Sequence, residues 1–112
     1  MSKIYYFNSD GTIKNEDELT SMNLNKANGM LSRCTLKDGT EKVGYIEANP
    51  FDTKINLWTW KNIDEENHAL IGDDDTKYDQ ITEAVNIDDI EKVETKLHSN
   101  PRWGGKITNK FE

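Results

Sequence analysis

Leu31-Ser32-Arg33-Cys34-Thr35-Leu36 and Glu41-Lys42-Val43-Gly44-Tyr45-Ile46-Glu47-Ala48 flank Lys37-Asp38-Gly39-Thr40. Asp-Gly between two alternating runs is the strongest short-range signal for a β-hairpin, because glycine takes the positive φ such a turn requires. The middle of the chain is therefore committed to antiparallel strands. Alternation puts Cys34 and Leu36 on one face. Gly44, inside the second strand, predicts a bend or bulge of the kind that curls a sheet toward a barrel, and Asn49-Pro50-Phe51-Asp52 ends that strand.

The flanking segments continue the β pattern. Lys3 to Phe7, followed by Asn8-Ser9-Asp10-Gly11 and then Thr12-Ile13, predicts an N-terminal hairpin. Asn15 before Glu16-Asp17-Glu18 reads as a cap and an acidic first turn, predicting a short helix with Leu19, Met22 and Leu24 on its apolar side and Asn28-Gly29 at its end. In Lys54 to Lys61, Ile55, Leu57 and Thr59 share one face and Asn56, Trp58 and Trp60 the other, so both faces carry apolar bulk. Residues 64–79 read as a polar loop or hairpin extension, and Ile81, Val85 and Ile87 as a fourth strand. Asp88-Asp89 marks a tight turn. Beyond it, Val93, Thr95 and Leu97 fit a closing strand, the preferred assignment, while Ile87, Ile90, Val93 and Leu97 also fit helical spacing.

The order of these features is similar to that of the Sm-like and SH3-like small barrels: a strand ending in Leu36-Lys37-Asp38-Gly39, a strand bent at Gly44, a Trp-rich third strand, a fourth, then Ile87-Asp88-Asp89-Ile90 into a last short strand. The likeness covers about residues 30–98. It implies a mainly β fold, a five-stranded barrel preceded by the N-terminal hairpin and one short helix (residues 1–29) and followed by a tail (residues 99–112), all within one domain of residues 1–112. Sm-like proteins often bind single-stranded RNA in ring assemblies. Here no aspartate-then-asparagine pair stands in the third-strand region at Asn56 and no arginine-glycine pair follows Val93, so those contact positions do not carry over.

Charge and cysteine usage narrow the function classes. The net charge of −7 is uneven: residues 64–94 hold twelve acids against Lys77 and Lys92, whereas Lys96, Arg102, Lys106 and Lys110 face only Glu112 in the last eighteen residues. The tail, with Trp103 able to stack on a base, is the basis of an alternative nucleic-acid reading through Arg102, Trp103, Lys106 and Lys110. The acidic flank opposes attraction to phosphates. Apolar stretches are only a few residues long and Asn8 breaks the first of them, so neither a membrane span nor a signal peptide is expected; a lone cysteine, Cys34, then points to a reducing cytoplasm.

No residue pattern singles out catalysis. Asp73-Asp74-Asp75 with Asp79 invites a hard cation and a metal-dependent enzyme, but Lys77 takes a ligand position and Tyr78 the place of the obligatory glycine in calcium-loop spacing, leaving a solvated acidic loop. His68 and His98 lack a second ligand at metal spacing, and Cys34 alternates with Leu36 into a core. No cofactor is expected. Tyr45, Trp58 and Trp60 remain: either they fill the core of a small barrel, or they form an aromatic groove for a protein partner or a second copy. The sequence weighs toward a non-catalytic protein-interaction module that meets its partner through the Trp58/Trp60 face or through the acidic residues 64–79.

Overall fold

A computed structural model describes residues 2–61, 63–64, 66, 69–70, 80–101 and 107–111. Its elements are β1 (Lys3–Phe7), β2 (Ile13–Glu18), α1 (Ser21–Asn25), β3 (Leu31–Leu36), β4 (Glu41–Glu47), β5 (Lys54–Trp60), β6 (Ile63–Asp64), β7 (Ala69–Leu70), β8 (Gln80–Asn86), a 3-10 turn (Ile87–Asp89) and β9 (Ile90–Lys96). The mainly β class is as expected. The five-stranded barrel is not: one open, mixed sheet of seven strands runs β2-β1-β9-β3-β4-β5-β8, and β6 and β7 form a separate pair.

The difference comes from β1. Ile4 and Tyr6 alternate onto one face and are buried in the same core cluster as Cys34, Ile90 and Val93. The edge of β1 joins β9 in parallel register from Lys3↔Lys92 to Phe7↔Lys96, with β2 added outside it, so the hairpin adds its apolar face to the sheet's. Two strands thereby extend the sheet, and β2 and β8 are left as its edges.

The acidic run also departs from expectation. Glu16, Asp17 and Glu18 are in β2, opposite Tyr5, Ile4 and Lys3, and Lys3 pairs with Glu16 at 2.6 Å. An edge strand with charged side chains suits solvent as well as a helix start does, and the inner face of β1 decides between them. The helix begins later: the Thr20 hydroxyl accepts from Asn23 N–H at 3.1 Å. Leu24 and Ala27 are fully buried, whereas Met22 is exposed, so α1 and the turn after it dock through a narrower apolar face than predicted. Gly29, at φ +79°, then turns the chain into β3.

The β3–β4 hairpin forms as predicted. Gly39 adopts φ +91° and the Asp38 carboxylate accepts the Thr40 N–H at 2.9 Å. At Gly44 the β3–β4 register is continuous, so there is no bulge. Its role is close approach: β4 pairs with β5 only from Tyr45 to Glu47, and a Cβ on Gly44 would stand 2.9 Å from the Trp58 carbonyl oxygen.

Residues 90–96 are a strand, and the helical spacing there has a physical origin. The β3–β9 register shifts between Thr35 and Leu36, pairing Leu36 with Ile90 and Thr35 with Lys92, so Glu91 is the extra residue of a bulge. Ile90 and Val93, three apart, consequently both face the core. Around them lie Ile4, Cys34, Ile46, Ile55, Leu57 and Val85, and the buried Ser32 and Thr95 hydroxyls satisfy each other at 2.8 Å. No described helix is long and apolar enough to cross a membrane.

Candidate functional site

The opposite face of β4 and β5 carries the aromatic residues singled out in the sequence. Tyr45 sits directly across from Trp58, and Trp60 follows two residues along the same strand, so all three share one side of the sheet. Tyr45 is buried, while Trp58 and Trp60 are half-buried. Together with Gln80, Glu47 and Ile107 they line a cleft of about 570 Å³. The two alternatives read from the sequence, core or groove, thus meet in one place: Ile46 and Leu57 take the core side, and the Tyr and Trp side chains form a second, partly covered face.

That cover is the chain's own residues 107–111. The Thr108 N–H donates to the Tyr45 hydroxyl at 3.0 Å. Asn109 accepts the Trp60 N–H through Oδ1 at 2.9 Å and donates from Nδ2 to the Trp60 carbonyl at 2.5 Å. Trp60 lies beyond the end of the β4–β5 ladder, and the Asn109 amide supplies the donor and acceptor that a strand neighbour would otherwise provide. Asn28 treats Ala48 alike, accepting its N–H at 2.7 Å and donating to its carbonyl at 3.2 Å. Among the described residues the buried Trp60 Nε1–H has no acceptor. The segment ends with the Phe111 ring between Arg33 and Lys96, whose Cζ and Nζ lie 4.8 and 4.9 Å from its centroid. Arg33 is held by a two-pronged contact to Glu94 at 3.0 and 3.1 Å, which raises its already high pKa.

Of the other sequence candidates that lie among the described residues, neither Lys110 nor His98 lines this cleft. Lys110 is exposed, and its N–H donates to the Thr108 hydroxyl at 3.1 Å. Arg102, Trp103 and Lys106 lie outside the described residues, as do His68 and the acids Asp73, Asp74, Asp75 and Asp79. His98 is exposed, at φ +64° in the turn after β9. Among the described residues no group of three His, Cys, Asp or Glu is arranged to hold a metal ion. Sequence reasoning missed Thr108, Asn109 and Phe111, because it weighed the tail by its charges and Trp103. The available signal was the run Ile107-Thr108-Asn109-Lys110-Phe111, in which an aliphatic residue, an amide and an aromatic stand two positions apart.

Cys34 is fully buried, and burial pushes its thiol from about 9 up to about 12. Such a group is inert as a nucleophile at neutral pH. Tyr6 is pushed from about 10 up to about 12, by burial first and then by the Asp17 carboxylate. Both groups are neutral in the folded state and ionise more readily once unfolded, so their stabilisation is complete below about pH 9 and is lost as the pH rises toward 12. The urea midpoint, followed by tryptophan fluorescence, is expected to fall steadily across that window. A midpoint unchanged from pH 8 to 11 would contradict the burial of both groups.

No protein-family model matches the chain, and no curated protein and no solved structure is similar enough to match it.

Proposed function

We propose that the protein is a cytoplasmic, non-catalytic protein-interaction module that holds an extended segment of a protein partner, or of a second copy, on its Tyr45–Trp58–Trp60 face. The observation that carries this role is the cleft itself. Three large aromatic side chains converge beside main-chain groups of Trp60, and residues 107–111 already lie there, held by hydrogen bonds to Tyr45 and to the Trp60 backbone. Aromatic anchors supply contact area at low entropic cost, and main-chain hydrogen bonds hold a peptide without regard to most of its side chains. A likeness to the Sm-like and SH3-like small barrels is supported by the central strand order β9-β3-β4-β5-β8, in which the last strand returns beside the first through the 3-10 turn.

Affinity capture from a cytoplasmic extract, run with the wild type and with Trp58→Ala, tests the role. Tryptophan hot spots typically contribute at least about 2 kcal/mol, so a partner retained by the wild type is expected to be lost from a variant whose circular dichroism and unfolding midpoint show it folded. Light scattering on the same samples identifies a second copy as the partner. Tight binding of single-stranded RNA at low salt, weakened steeply by added salt and unaffected by Trp58→Ala, would replace this role with nucleic-acid binding.

A further inference from the structure

We propose that the Tyr45–Trp58–Trp60 cleft reads an asparagine in a peptide segment, and that residues 107–111 are the resident copy of the segment it recognises. This partner chemistry rests on the interaction-module function above. Trp60 presents an N–H and a carbonyl side by side, both satisfied by the single side chain of Asn109. A primary amide has an acceptor and a donor on adjacent atoms, so one short side chain can bridge both groups; a carboxylate repels the carbonyl, and a hydroxyl is too small to span the pair. Two residues earlier, Ile107 lines the apolar part of the cleft, and between them the Thr108 N–H bonds to Tyr45. The pattern presented to the cleft is aliphatic, any residue with a free N–H, then asparagine.

The resident segment is an imperfect occupant. Trp60 keeps a buried Nε1–H with no acceptor among the described residues, a cost that an incoming peptide can remove by presenting a carbonyl. An outside peptide must still compete with a tethered one, whose effective concentration is of order millimolar. Affinity in the intact protein is therefore weak unless the resident segment is loosened.

The test uses the full chain carrying Asn109→Ala and two end-blocked peptides, Ile-Thr-Asn-Lys-Phe and its counterpart with alanine for asparagine, titrated by tryptophan fluorescence and amide NMR. The asparagine peptide is expected to bind the variant at least about tenfold more tightly than it binds the wild type, the loss of a tethered competitor setting this minimum. It should shift the Trp60 amide resonance, and the alanine peptide should bind at least about tenfold more weakly, the equivalent of one or two hydrogen bonds. Equal binding of the two peptides, or equal binding by variant and wild type, overturns the proposal. Should Asn109→Ala fail to fold, Thr108→Pro removes the donor to Tyr45 while keeping Asn109, and it must bind the asparagine peptide more tightly than the wild type; equal binding again overturns it. Partner capture lost in Trp58→Ala without asparagine selectivity leaves the module standing and removes the asparagine. Selective peptide binding with no partner sensitive to Trp58 removes the module as framed above.

Discussion

Leu24→Ala is expected to lower the unfolding free energy by about 2–5 kcal/mol, the range for truncating a buried leucine, read as a drop in the urea midpoint at unchanged slope. Leu24 is fully buried and is the single buried residue within α1. A helix of five residues has no stability of its own, since nucleation is unfavourable and too few hydrogen bonds follow it. Its position depends on tertiary anchors. The polar ones are modest: Ser21 Oγ donates to the Pro50 carbonyl, and Asn25 Nδ2 to the Ala48 carbonyl at 2.7 Å. Leu24 instead fills the core cluster that also holds Ile46, Ala48 and Ala27, and its loss leaves a void that short, hydrogen-bonded neighbours cannot close. For a domain of this size total stability is about 5–15 kcal/mol, so the variant forfeits a large fraction of it. Leu24→Met, which conserves volume, should cost less than about 1.5 kcal/mol. A Leu24→Ala cost below about 1 kcal/mol would mean that the helix is not anchored by this side chain.

Gly44→Ala is expected to destabilise by about 2–3 kcal/mol, and here the sign is the test. Gly44 carries no positive φ, so alanine meets no backbone strain. Within a strand, alanine would ordinarily stabilise relative to glycine by about 0.5–1 kcal/mol through the unfolded chain's entropy. Against that gain, its Cβ would stand 2.9 Å from the Trp58 carbonyl oxygen, 3.0 Å from Leu57 Cβ and 3.3 Å from Trp58 N. Two of these three atoms are backbone. They belong to β5, whose pairing with β8 runs over seven residues from Lys54↔Asn86 to Trp60↔Gln80, so β5 cannot withdraw without disturbing that ladder. Thermal unfolding by circular dichroism decides between the two effects: a midpoint lowered by several degrees supports close approach, and a raised one rejects it.

What the sequence made legible was local. Asp38-Gly39 carried its own turn chemistry, and the alternation of Ile55, Leu57, Trp58 and Trp60 assigned both faces of β5 without knowledge of their neighbours. The closing strand could be preferred over a helix because Val93, Thr95 and Leu97 kept a period of two. What could not be read was non-local. Asn15 followed by Glu16-Asp17-Glu18 is as good a helix start as an edge strand, and only the inner face of β1, across the hairpin, selects the latter. The helical spacing of Ile90 and Val93 reflects one extra residue, Glu91, that becomes visible only against β3. At the site, Tyr45, Trp58 and Trp60 could be grouped from strand alternation, whereas Asn109 is joined to Trp60 by two hydrogen bonds across 49 positions that no local pattern encodes.

The parallel contact of β1 with β9 has a consequence for how the molecule is made. Lys3 faces Lys92 and Phe7 faces Lys96, so β1, made before the other strands of this sheet, waits for the last of them before its inner edge is paired. At roughly 5–20 residues per second, that wait lasts several seconds during synthesis. In the interval β1 has only β2 beside it, and a two-stranded hairpin is marginal in water. The β3–β4 turn can meanwhile close within microseconds. The middle of the chain is therefore expected to pair first, leaving Ile4 and Tyr6, made before the other described core residues, open to a neighbouring nascent chain for longer; hydrogen-exchange pulse labelling that protected β1 before β3 and β4 would reverse this order.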